Sequence, residues 1–250
     1  MTASLLVDVG NSRVKWATLE GRRIGSVSAV AHSADSLTDL LRGQWSALPA
    51  PARVLVSSVI GEGPNARLRK LCASLWGLEC DFAHARSSAL GLTNGYRDPG
   101  ALGVDRWLAM LAAWHSRRAA FCVADCGSAV TIDAIDADGR HLGGLIIPGV
   151  QLMQRALRRG TSIPEFAPTG TGTFFGRDTA EAVTSGVVQA IAGAIERALV
   201  VTSGAAGQTP PLIVTGGDGP VIANALAVPC ELRPSLVLEG LAVLAQNPGR

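Results

Sequence analysis

Residues 5–19, LLVDVGNSRVKWATL, decide how this chain is read. They describe an apolar strand, Leu5–Val9, a tight polar turn, Gly10–Ser12, and a returning strand, Val14–Leu19. Asp8 stands near the end of the first strand, where an unpaired carboxylate is costly to bury. Gly10 lets the backbone turn sharply and approach a ligand closely. Asn11, Ser12 and Lys15 set amide, hydroxyl and ammonium groups around the turn. Donors for phosphate oxygens beside a carboxylate for a hydrated cation suit a triphosphate with its metal. Taken alone, the stretch suits an ordinary β-hairpin with a Gly-Asn turn equally well.

The plan occurs twice. Residues 121–133, FCVADCGSAVTID, again give an apolar strand, Asp125, one residue, Gly127, a hydroxyl residue and a second β-rich strand. Asp8 and Asp125 lie close to half the chain length apart, as expected of two similar α/β lobes. A third piece, LIVTGGDGP at 212–220, is a strand ending in a Gly-rich turn that could lie against a purine or ribose. This arrangement resembles the actin-like ATPase and sugar-kinase superfamily. The resemblance implies two ribonuclease H-like lobes around a nucleotide cleft, each a mixed β-sheet with flanking helices. We expect them at 1–117 and 118–250.

Nearly half of the 250 residues are hydrophobic and 17% are charged, so a substantial core is expected. A net charge of +2 argues against a protein that binds nucleic acid by bulk electrostatics. No apolar run is expected to span a bilayer. The N-terminus enters a strand at once, without a signal-peptide plan. The five cysteines, at 72, 80, 122, 126 and 230, show no zinc-site spacing and read as reduced, mostly buried thiols of a cytoplasmic protein. The four histidines, at 32, 84, 115 and 141, read as surface or satisfied structural residues.

In chain order, Ile24–Val30 is expected as a third antiparallel strand, with helices over 34–48 and 64–76 and strands over 53–59 and 78–82. The loop 91–107, GLTNGYRDPGALGVDRW, carries strong turn signals at Asn94-Gly95 and Asp98-Pro99-Gly100. A helix begins near Ala101 with Asp105 and Arg106 in its first turns. An exposed Asp-Arg pair is usually a solvated surface pair. Here it follows a Gly-rich loop, adjoins Tyr96 and immediately precedes the second hairpin. A carboxylate there could act as a general base, and an arginine could hold an anionic substrate. Further on, 159–177 is rich in Gly, Pro and Thr and is expected as a mobile loop. A long helix from Thr179 to Val201 carries small residues, Gly186, Ala190, Gly193 and Ala194, that point to close helix packing. A strand at 230–232 and a helix near 236–245 are expected to close the second lobe.

Seven pieces in order make a more specific resemblance: DVGNSRVKW at 8–16, NGY at 94–96, LGVDRWLA at 102–109, DCGSAVTID at 125–133, HLGGLIIPG at 141–149, DTAEAV at 178–183 and TGGD at 215–218. Together they resemble the type III pantothenate kinases, which open coenzyme A synthesis. Ser12 and Ser128 stand where many members have threonine, which keeps the hydroxyl. The resemblance implies a homodimer using ATP, magnesium and potassium or ammonium, with pantothenate as substrate. It makes Asp8, Val9, Gly10, Asn11, Ser12, Arg13, Val14 and Lys15 the first ATP segment, with Asp8 organising hydrated magnesium. It makes Ser128 a second nucleotide contact and Asp125 the monovalent-cation ligand. Tyr96, Gly103, Val104, Asp105, Arg106 and Thr179 become pantothenate contacts, with Asp105 the proton acceptor.

Two other classes share the hairpins. One is a nucleotide-gated binding module like actin or the heat-shock chaperones, which would lack the Tyr96 and Asp105-Arg106 set. The other is a nucleotide-binding regulatory accessory factor, for which a basic helix-turn-helix surface would argue, and none is seen. Pantothenate-dependent ADP release separates them.

Overall fold

The computed structural model describes residues 3–33, 35–163, 174–206 and 209–247. Two units form, Met1–Arg117 with Ser235–Arg250, and Arg118–Pro234.

In the first unit β1 (Ser4–Val9) and β2 (Arg13–Glu20) pair antiparallel, with Val9 opposite Val14 and Asp8 opposite Lys15. The strand expected over Ile24–Val30 is two short ones, β3 (Arg23–Ile24) and β4 (Ser28–Ala31), both paired to β2. The break falls at Gly25, whose N–H donates to the Thr18 carbonyl at 2.8 Å. There follow α1 (Leu37–Trp45), β5 (Arg53–Ser58), α2 (Glu62–Trp76) and β6 (Cys80–Phe82), with β5 parallel to β1 and β6 parallel to β5. The strand order is β3-β2-β1-β5-β6. Both faces of β1 are covered, so Leu5, Leu6 and Val7 are all buried and the strand reads as a continuous apolar run. On one face Trp45 of α1 stacks on Trp76 of α2 at 5.6 Å and meets Trp16 of β2 edge-on at 6.2 Å, joining two helices to the sheet. A small hairpin, β7 (Ser88–Ala89) and β8 (Leu92–Thr93), leads into the substrate-loop candidate. The next helix, α3 (Val104–Arg117), is buried on every side from Arg106 to Trp114.

In the second unit β9 (Phe121–Cys126), β10 (Ala129–Ile135) and β11 (His141–Pro148) form an antiparallel meander. Then come α4 (Val150–Gly160), α5 (Thr179–Ala206), β12 (Leu212–Thr215), α6 (Gly219–Ala225) and β13 (Cys230–Leu232). The order β11-β10-β9-β12-β13 repeats the path β3-β2-β1-β5-β6 of the first sheet, in which β4 is an additional strand. The two carboxylates occupy the same register. Asp8 lies between Lys15 and Ser57, and Asp125 between Thr131 and Thr215.

Three expectations need correction. The C-terminal helix α7 (Leu236–Gln246) belongs to the first unit rather than the second. It packs on α3, β1 and β5. A Cβ on Gly240 would stand 2.2 Å from the Leu108 carbonyl oxygen, so the glycine lets the two helix backbones touch. An apolar helix following β13 in sequence did not say which sheet it would cover. Second, Thr179–Ser203 of α5 is long and apolar enough to cross a membrane by length and composition. Its face bearing Val183, Val187, Val188, Ile191 and Ile195 is buried in the core of the second unit. Third, of the four small residues expected to pack closely on α5, Ala194 packs against that core and the other three do not. Gly186, Ala190 and Gly193 are exposed, with open space where a Cβ on either glycine would be. Of the loop expected to be mobile at 159–177, residues 164–173 lie outside the described residues, and α4 extends to Gly160.

Candidate active site

The first hairpin turn is closed by the Gly10 N–H donating to the Arg13 carbonyl at 3.0 Å. It is also held from the side. The His32 N–H donates to the Ser12 carbonyl at 3.0 Å, and His32 Nε2 lies 3.0 Å from the Gly10 carbonyl oxygen. Neither Asn11 nor Ser12 takes a positive φ, so the turn is not the type I′ form that Asn-Gly loops favour. Asn11, Ser12 and Arg13 are exposed, Asp8 and Lys15 half-buried. Val9 and Val14 are fully buried, so their side chains serve the core and only their backbone could face a nucleotide. The clamp by His32 was not legible, because it depends on β4 lying beside β2.

The second hairpin is one residue tighter, with Gly127 donating to Ala129 at 3.0 Å. Two glycines pack onto it. The Gly149 N–H donates to the Ser128 carbonyl at 3.0 Å, and a Cβ there would stand 2.2 Å from the Gly127 carbonyl oxygen. Gly216, at φ +93°, lies so close to Cys126 that a Cβ would be 2.3 Å from its carbonyl oxygen, which also accepts the Asp218 N–H at 2.9 Å. The Gly-rich turn at 215–218 therefore rides on the end of β9. Asp125, exposed Ser128, Gly149 and Gly216 come together there. Thr179 is exposed at the start of α5, where the Glu181 N–H donates to Asp178 Oδ1 at 2.8 Å and the Glu181 carboxylate accepts the Arg177 N–H at 2.8 Å.

In the first unit the loop 94–106 is built on Asn94. Its side-chain nitrogen donates to the Arg86 and Pro99 carbonyls, both at 3.1 Å, and its Oδ1 accepts the Tyr96 N–H at 3.0 Å. This Asx-turn presents Tyr96 to Arg106. Arg106, only 5% exposed, donates from Nη1 to the Tyr96 hydroxyl at 2.6 Å. Asp105 is half-buried, and its Oδ1 accepts the Arg106 N–H at 2.8 Å. A Cβ on Gly103 would stand 2.6 Å from that oxygen, so glycine makes room for the carboxylate. A cavity of about 520 Å³ reaches Gly103 and Val104 from the carboxyl ends of β5 and β6, lined also by Ser58, Asn65, Arg69 and Phe82. In α/β sheets that edge is where ligands bind. Nothing in the local sequence pattern of Asn65 or Arg69 separates this wall from a solvated helix face. Tyr96, Gly103, Val104, Asp105 and Arg106 are thus brought together in one unit, and Asp125 and Ser128 in the other.

Of the histidines, His141 is buried with Nε2 2.8 Å from Asp133 Oδ1. All five cysteines are free.

The family model for type III pantothenate kinases matches residues 4–200. The chain is 39% identical over 249 residues to a type III pantothenate kinase of Acidovorax ebreus (strain TPSY), covering 96% of this chain and 95% of that protein. Its fold is similar to that of a Campylobacter jejuni protein described as a Baf family transcriptional activator. The TM-score is 0.62 at 22% identity, over 98% of this chain and 100% of that one. It is also similar to MreB 5 of Spiroplasma citri bound to AMPPNP, with a TM-score of 0.54 at 12% identity over 98% and 96% of the two chains. These two likenesses speak to fold, and the fold is that of the actin-like ATPases and sugar kinases. Matched in sequence along nearly its whole length, the chain belongs to the type III pantothenate kinase family.

Proposed function

We propose that the chain moves the γ-phosphoryl group of ATP to the primary hydroxyl of pantothenate, giving 4′-phosphopantothenate, and that its two hairpins and its 94–106 loop divide the work. The observation that carries this reading is the full-length match to a pantothenate kinase at 39% identity. The activity is a phosphotransferase step of coenzyme A synthesis, with ATP as the phosphoryl donor, accompanied by a divalent metal.

Phosphoryl transfer asks the protein for positioning and charge neutralisation more than for covalent chemistry. The Asn11–Ser12 turn, Lys15 and Ser128 are the phosphate contacts. Asp8 offers one half-buried carboxylate rather than a cage, which fits magnesium that keeps its waters and takes phosphate oxygens. That ion supplies charge neutralisation across the phosphates. Asp125 has threonines on both sides in the sheet, an oxygen-rich surrounding that fits potassium or ammonium. Arg106, steadied by Tyr96, holds the anionic substrate, with Gly103, Val104 and Thr179 as further contacts. Asp105 takes the hydroxyl proton as the oxygen meets phosphorus.

We place this enzyme in the cytoplasm, with its thiols reduced, and as a homodimer. The exposed small-residue face of α5 and exposed Leu142, Leu145 and Ile146 on the edge strand β11 support the dimer. The deciding experiment is ADP release with pantothenate present and absent. Release that requires pantothenate is expected. Equal release without it removes the kinase reading and leaves a nucleotide-gated module.

A further inference from the structure

Ser57, near the end of β5, is fully buried, and its hydroxyl has no hydrogen-bond partner among the described residues. It lies beside Asp8, its register partner on β1, and strands paired in register put both side chains on one face of the sheet. Val54 and Val56 join the apolar cluster under α1 and α2, so Ser57 faces the opposite side. Ser58, the next residue, alternates back and donates to Asn65 Oδ1 at 2.6 Å. One of the two adjacent serines is therefore satisfied and the other is not. A buried hydroxyl without a partner costs the fold its full desolvation, and such a group asks for a reason. Trp45 and Trp107 also bury an indole N–H with no partner among the described residues, but their large rings gain far more by burial. Serine has a single methylene to bury, so alanine would suit this place better. The second unit repeats the arrangement. Thr215 on β12 stands beside Asp125 as Ser57 stands beside Asp8, in each case on the strand parallel to the one that bears the carboxylate. A hydroxyl at the same place in both sheets ties it to the carboxylate rather than to the packing of the core.

We infer that Ser57 is a positioning residue for Asp8. Its hydroxyl donates to the Asp8 carboxylate in the nucleotide-bound protein and fixes which carboxylate oxygen turns to the hydrated cation. This rests on the reading of Asp8 as the group that organises magnesium. Lys15 is the other register neighbour of Asp8, and its ammonium is assigned above to the phosphates. That leaves Ser57 as the sheet neighbour able to hold the carboxylate from the side. Carboxylates that serve a metal are themselves held by hydrogen bonds, and those outer partners set how well they serve it. The stability lost to an unpaired hydroxyl in the empty protein is thus recovered when the nucleotide binds.

The test measures AMPPNP binding to the full chain by calorimetry, in magnesium and in EDTA, together with the thermal midpoint of the ligand-free protein. Ser57→Ala should melt at or above the wild type, because the hydroxyl it removes has no partner to lose. In magnesium it should bind AMPPNP roughly 10- to 100-fold more weakly, the usual cost of losing a group that orients a metal-ligating side chain. In EDTA it should bind as the wild type does. In an Asp8→Asn background, Ser57→Ala should add no further loss. A lower midpoint, or failure to fold, shows that the hydroxyl holds the fold itself and overturns the inference. Unchanged affinity in magnesium overturns it too, as does an equal loss in EDTA. Asp8→Asn alone separates this inference from the reading beneath it. If that variant loses the gain in affinity that magnesium brings and Ser57→Ala keeps it, only the role of Ser57 falls. If Asp8→Asn keeps the gain, the magnesium reading of Asp8 fails, and the role of Ser57 falls with it.

Discussion

Arg106 donates from Nη1 to the Tyr96 hydroxyl at 2.6 Å, with its guanidinium carbon 5.3 Å from the centre of the Tyr96 ring. The phenol steadies a buried cation and fixes the plane in which the guanidinium would meet an anionic substrate in the proposed function. Lysine would keep the charge and lose the planar fork. Arg106→Lys should therefore raise the pantothenate KM by roughly 10- to 100-fold, the range of a lost charge-assisted hydrogen bond. Tyr96→Phe, which removes only the hydroxyl, should raise it a few-fold. Steady-state kinetics at saturating ATP measures both. An unchanged KM in Arg106→Lys takes the guanidinium out of substrate binding.

Asp105 and Gly103 form a second linked pair, since a side chain at 103 would displace the carboxylate. Asp105→Asn keeps the shape and cannot take a proton, so kcat should fall by about 10²–10⁴-fold with nucleotide affinity held. Gly103→Ala should lower kcat in the same direction and by less, because the base is moved and not removed. Turnover and calorimetric ATP affinity on both variants are the measurements. Near wild-type kcat in Asp105→Asn leaves substrate positioning as the only role of this loop.

The hairpins were legible because each is local. An apolar strand, Asp-x-Gly and a returning strand lie within about fifteen residues, and the paired strand orders follow from repeating that unit. The Asn94 turn was legible for the same reason. What could not be read were contacts set by tertiary approach. His32 reaches Gly10 only because β4 folds back on β2. Gly149 and Gly216 look like ordinary loop glycines until the backbones they touch are known. The placement of α7 and the outward face of the α5 glycines failed similarly, because an apolar or small-residue pattern says that something packs there and not what.

Asp125 between Thr131 and Thr215 leads to a cation prediction. Potassium or ammonium should stimulate turnover, and Asp125→Ala should abolish the stimulation while the sheet stays folded. In the proposed function, neutralising the carboxylate next to the second hairpin turn would aid docking of the triphosphate. Initial rates in matched potassium, ammonium and sodium buffers give the answer. Equal rates in sodium, with Asp125→Ala indistinguishable from wild type, refute the assignment.

Gly240 offers a stability test of the α7 placement. A methyl group there meets the Leu108 backbone, which cannot rotate away as a side chain could. Overpacking of this kind costs about 1–3 kcal/mol. Gly240→Ala should thus lower the thermal midpoint, although alanine is the better helix former. A midpoint equal to or above wild type places α7 elsewhere.

The dimer can be tested on the exposed face of α5. Gly186, Ala190 and Gly193 follow one another at helical spacing, so they share one side of the helix. Among the described residues and beyond the helix's own backbone, neither glycine has an atom within 4 Å of where its Cβ would be. A methyl group there meets no described residue beyond the helix's own backbone. Replacing glycine in a helix interior also favours the helix by about 1 kcal/mol per site. Gly186→Leu with Gly193→Leu should therefore leave the chain folded. If a second copy approaches along this face, the same two leucines hold it off, because close helix approach depends on small side chains at the contact. Sedimentation velocity at micromolar concentration should show a dimer for the wild type and a monomer for the double variant, with matching far-UV circular dichroism. A double variant that remains dimeric moves the interface off this face, with the exposed apolar edge of β11 the next place to substitute. A fully active wild-type monomer removes the dimer altogether.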